Sequence, residues 1–79
     1  MPPSDTFWFV GLALAEIGYE YDAAAGLFIH QLGGSAVELP DDPRMTREQA
    51  IVSLAHQGVD VQELLLAMMR LDEETEPRL

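Results

Sequence analysis

The stretch YEYDAAAGLFIHQLGGSAVEL, Tyr19 to Leu39, decides the fold. Its apolar side chains recur with a period near two, and turn-forming residues break it in two places. Read as strands, it divides into Tyr19–Asp22, Leu27–Leu32 and Ser35–Leu39. Ala23–Gly26 makes a four-residue first turn. Gly33-Gly34 makes a two-residue second turn, since both positions tolerate positive φ. Antiparallel pairing then sets Tyr19 opposite His30 and Tyr21 opposite Phe28. In the second hairpin it sets Phe28 opposite Leu39, His30 opposite Val37 and Leu32 opposite Ser35. Residues directly opposite share a face of the sheet. That register gathers Tyr19, Tyr21, Phe28, His30, Leu32, Val37 and Leu39 on a predicted core face. Glu20, Asp22, Ile29, Gln31 and Glu38 fall on the other, and a slip of one residue would exchange the two sets.

Upstream, the spacing of Phe7, Val10, Leu14 and Ile17 predicts a helix over 4–17. Ser4 or Asp5 caps its start, and Gly18 stops it. Trp8, Leu12 and Ala15 widen the apolar stripe, as expected of a helix that is mostly buried or covered on two sides. Downstream, Pro40-Asp41-Asp42-Pro43 is a stiff acidic connector. Thr46 and Gln49 form a capping box, which opens a helix running to about Gln57, with Ala50, Ile51, Leu54 and Ala55 inward. Gly58 ends it. Asp60 and Glu63 repeat the capping signature, with Val59 and Leu64 placed as a hydrophobic staple. The last helix is predicted from Val61 to about Leu71. The expected fold is therefore α+β, one domain over residues 1–79 in the order α-β-β-β-α-α. It has a three-stranded antiparallel sheet with helices packed on one face, and frayed ends at 1–3 and 72–79.

The chain has 79 residues and no cysteine, so no disulfide staples it. Fourteen acidic residues against four basic ones leave a net charge of −10. The four cations are Arg44, Arg47, Arg70 and Arg78. Residues 1–43 carry seven carboxylates (Asp5, Glu16, Glu20, Asp22, Glu38, Asp41 and Asp42) and no cation. Such a surface repels nucleic-acid phosphates and anionic membranes, and is drawn to basic protein surfaces. The apolar run Phe7–Ala15 lacks a basic flank and falls well short of the roughly 20 residues that span a bilayer. A cytoplasmic protein is the expectation.

Candidate chemistry is thin. Ser53 and His56 lie at i, i+3 on one helix, but no neighbouring acid or oxyanion donor accompanies them. His30 and His56 are too far apart in sequence to suggest a zinc site, and Asp41-Asp42 lacks the pattern of a calcium loop. Thr46–Leu71 has the outline of a helix-turn-helix. Its second helix, however, offers Leu64, Leu65, Leu66, Met68 and Met69 where a DNA reader places polar and basic side chains. Neither a catalytic role, a cofactor nor a metal is expected.

Two binding surfaces are expected instead. The first is an acidic patch of Glu16, Glu20, Asp22, Glu38, Asp41 and Asp42. It would dock on a basic, nucleic-acid-binding surface of another protein, with carboxylates standing where phosphates would go. By size and charge this is the kind of small inhibitor that phages direct against host defence, such as anti-CRISPR or anti-restriction proteins. The second is an apolar surface of Trp8, Ile29, Leu66 and Met69. It would serve an adaptor or antitoxin-like module that binds a partner, or itself as a homodimer.

Overall fold

A computed structural model describes residues 5–75. The elements follow the expected α+β order: α1 (Asp5–Glu16), β1 (Tyr19–Asp22), β2 (Leu27–His30), β3 (Ala36–Val37), α2 (Arg47–His56) and α3 (Val61–Thr75). The antiparallel sheet has the order β1-β2-β3. Helix α1 lies at the centre, touching β1 on one side and α2 and α3 on the other. Its face of Val10, Ala13 and Leu14 is sealed into a core shared with Phe28, Val37, Leu39, Leu54 and Leu64. Among the described residues no charged or strongly polar side chain is buried, and no buried side-chain nitrogen or oxygen is left without a partner.

The first hairpin has the expected register, with Tyr19 opposite His30 and Tyr21 opposite Phe28. It turns through Ala23–Gly26, where Asp22 Oδ1 accepts from the Ala24 and Ala25 amides and Gly26 takes φ +69°. The second hairpin differs. Phe28 stands opposite Val37 and Ile29 opposite Ala36, a shift of two residues from the expected pairing. A two-residue turn at Gly33-Gly34 would suit a backbone with both glycines at positive φ. Only Gly34 adopts one, at +71°. Gln31–Gly34 forms a four-residue loop instead. The Gly34 amide donates to the His30 carbonyl and the Gly33 amide to His30 Nδ1. A shift by two keeps every face, so Val37 and Leu39 remain core residues. Leu32 does not: it sits at the loop tip, 95% exposed. The strands are correspondingly shorter than the sequence pattern suggests.

Three further expectations are corrected. Tyr21 is half exposed because β1 is an edge strand; its ring leans on Phe28 at 4.9 Å and Phe7 at 6.0 Å. Trp8, Leu12 and Ala15 line an open flank of α1 rather than the core. Helix α3 runs on through Asp72 to Thr75 instead of stopping at Leu71. Residues 1–3 and 76–79, expected to fray, lie outside the described residues.

The helix boundaries follow their local chemistry. Gly18 ends α1 at φ +102°. Thr46 and Gln49 make the reciprocal capping box at the start of α2. Asp60 Oδ1 accepts from the Gln62 and Glu63 amides at the start of α3, with Val59 and Leu64 both buried beside it. Arg47 ties the three helices together. Its guanidinium lies 3.7 Å from the Phe9 ring centroid and 3.5 Å from Asp72 Oδ1.

Candidate binding surfaces

The sheet buries one face against the helices and leaves the other open. On the open face alternation places Glu20 and Asp22 of β1, Leu27 and Ile29 of β2, and Ala36 of β3. Glu20 stands opposite Ile29, which is partly exposed, and Glu20 Oε2 accepts from Gln31 Nε2 at 3.1 Å. Continued by one residue, the β2–β3 register sets Glu38 opposite Leu27 rather than Ile29. Asp22 and Glu38 then flank Leu27 across two strand spacings, about 10 Å. The three carboxylates of the open face are thus Glu20, Asp22 and Glu38. The described arginines are elsewhere: Arg44 in the connector, Arg47 on α2 and Arg70 on α3.

The rest of the expected patch divides. Glu16, at the end of α1, pairs with Arg70 at 3.4 Å, so its charge is offset. Asp42 Oδ1 accepts from the Arg44 amide and shapes the connector. Asp22 has a similar double role, since one oxygen holds the first turn. Asp41 lies with Glu38 and Pro40 around a shallow depression beyond the sheet.

Glu38 is held through its main chain. Gln57, at the end of α2, accepts from the Glu38 amide and donates to the Glu38 carbonyl, each at 2.7 Å. The side-chain amide thereby takes the place that a neighbouring strand's peptide group would take beside β3. Glu38 also lines an open depression with Ser53 and His56. Among the described residues no hydrogen bond links these three side chains, and the amides of Gln49 and Gln57 line the same depression. Among the described residues no group of three His, Asp or Glu side chains is arranged to hold a metal ion. No described helix is long and apolar enough to cross a membrane.

The apolar candidates do not form one surface. Leu66 and Met69, 57% and 60% exposed, lie on the outer side of α3 with Leu65. Ile29 is on the open sheet face. Trp8, 57% exposed, belongs to a groove of about 610 Å³ between α1 and β1. Trp8, Leu12 and Ala15 form one wall of that groove, Tyr19 and Tyr21 the other, and the Gly11 and Phe28 region its floor. Sequence reasoning missed the groove because it placed Leu12 and Tyr21 in the core. The signal was present: Trp8, Leu12 and Ala15 recur at i, i+4 and i+7, a second stripe beside the buried one.

Compared with known proteins, the chain matches no family model, no curated protein and no solved structure.

Proposed function

We propose that this chain is a non-enzymatic, cytoplasmic protein-binding inhibitor. It docks its open sheet face on a basic, nucleic-acid-binding surface of another protein. The observation that carries this reading is the set of carboxylates on that face, Glu20, Asp22 and Glu38, with every described arginine placed on other elements. Unpaired like charges on a small ordered sheet repel one another, a cost that a cationic partner removes. Arginines of the partner would engage these carboxylates through paired hydrogen bonds. A phage-encoded anti-defence protein, of the anti-CRISPR kind, would have this mode of action.

The test is capture from a nuclease-treated bacterial lysate by the tagged chain, with elution in salt steps and competition by double-stranded DNA. The captured partner is expected to leave at moderate salt and to be displaced by DNA. The double variant Glu20→Lys/Glu38→Lys is expected to bind at least about tenfold more weakly, since close charge pairs at interfaces contribute on that order or more. A partner that resists high salt and ignores both substitutions rules the reading out. The second reading, an adaptor or antitoxin-like module, draws on the exposure of Trp8, Leu66 and Met69. It predicts salt-resistant binding that Met69→Glu disrupts.

A further inference from the structure

The sheet has two edges, and they differ. At β3 the Glu38 amide and carbonyl are taken by Gln57. At β1 the ladder to β2 uses alternate residues. The Gln31 amide donates to the Gly18 carbonyl, and the His30 amide turns the other way to the Ser35 carbonyl, so the bonded positions on β1 are 18, 20 and 22. The main-chain groups of Tyr19 and Tyr21 therefore point away from the sheet. Among the described residues nothing hydrogen-bonds to them. Two donors and two acceptors thus stand in a row along the groove whose far wall is Trp8 and Leu12.

Resting on the reading above, we infer that this edge takes an extended basic segment of the partner protein as a fourth strand. Such a strand would bond to the main chain of Tyr19 and Tyr21. Its side chains opposite Tyr19 and Tyr21 enter the groove against Trp8 and Leu12, which calls for apolar residues there. Its side chains opposite Glu20 and Asp22 emerge on the open face, which calls for Lys or Arg. The occupant is an alternating apolar–basic segment. A second copy of this chain is a poor occupant. The two-fold pairing that uses both tyrosines sets Glu20 directly against the same residue of the second copy, and each copy brings a charge of −10.

The test uses three short synthetic peptides as probes. The first alternates valine with lysine or arginine. The second has the same composition with its cations gathered at one end. The third is the alternating peptide N-methylated at the amides that would face β1. The readouts on the full chain are Trp8 fluorescence and the NMR shifts and hydrogen exchange of the Tyr19 and Tyr21 amides. The alternating peptide is expected to protect both amides and shift Trp8 emission. N-methylation, Glu20→Lys or gathering the cations should each weaken it at least about tenfold, roughly the loss of one or two net hydrogen bonds or a charge pair. Three results overturn the inference: equal binding of all three peptides with no amide protection, no binding by about 1 mM, or protection of both amides by self-association of the chain alone. The salt and DNA competition experiment involves neither these amides nor Trp8. A partner that leaves with salt and DNA while the peptides fail sinks only the fourth-strand mode. Peptide binding alongside salt-resistant capture sinks only the carboxylate reading.

Discussion

Gln57→Met removes the clamp on Glu38 while sparing most else. Methionine has a similar length and a helix propensity close to that of glutamine, so α2 should end where it does now. What disappears is a pair of hydrogen bonds, each 2.7 Å long, between the side-chain amide and the Glu38 main chain, together with a longer one of 3.3 Å from Gln57 Nε2 to the Ser53 carbonyl within α2. A buried pair would contribute about 1–3 kcal/mol, taking about 0.5–1.5 for each bond. Gln57 is exposed, so water replaces part of that interaction. The loss is expected near the lower end, about 1 kcal/mol. For a domain of this size that lowers Tm by about 4–8 °C. Paired differential scanning calorimetry and native-state hydrogen exchange check it. The Glu38 amide should exchange much faster, while the Phe28 and Leu64 amides should follow the global change only. A Tm within about 1 °C of the parent, with Glu38 exchange unchanged, would refute the idea that this side chain secures β3.

Two other substitution pairs test the core and the first helix stop. Leu54→Ala, at a fully buried position, should cost about 2–5 kcal/mol in urea unfolding, while Val52→Ala, two residues away and 56% exposed, should stay within about 0.5 kcal/mol. Gly18→Ala should lose about 1–2 kcal/mol in thermal melts, because Gly18 sits at φ +102° and a Cβ there would approach His30 Nε2 at 3.1 Å. Gly26→Ala, also at positive φ but with open space around it, should lose less.

Element order, the N-terminal caps of α2 and α3 and the first hairpin were legible because each rests on local chemistry. Thr46 with Gln49, Asp60 before Val61, and the alternation across Tyr19–Asp22 are short-range signals that tertiary packing has no reason to override. The second hairpin was harder to read. Gly-Gly permits a two-residue turn but does not impose one, and the backbone spends a single positive φ, at Gly34, on a longer loop. The resulting shift moved Glu38 along the sheet from Ile29 to Leu27 and left Leu32 outside. The candidate site was only half visible. Charge placed Glu20, Asp22 and Glu38 on one face by counting alone. The stripe of Trp8, Leu12 and Ala15 was visible, but not that it lines an open groove, because such a stripe looks the same in sequence whether another element covers it or not. Nor could spacing reveal that Glu16 is matched by Arg70, a contact between two helices far apart in the chain.

The side chain of Gln57 also acts as a chain terminator in the polymer sense. Edge-to-edge growth of sheets into fibrils needs two reactive ends on every unit, one to add and one to be added to. Here the Gln57 amide fills one position of the β3 edge, at Glu38, and the strand beside it is only two residues long, which leaves the Ala36 main chain as the one short stretch of that edge open to pairing among the described residues. A unit with a single reactive end can form a finite pair but cannot propagate. The Gln57 clamp thus works against growth at β3 while β1 stays open.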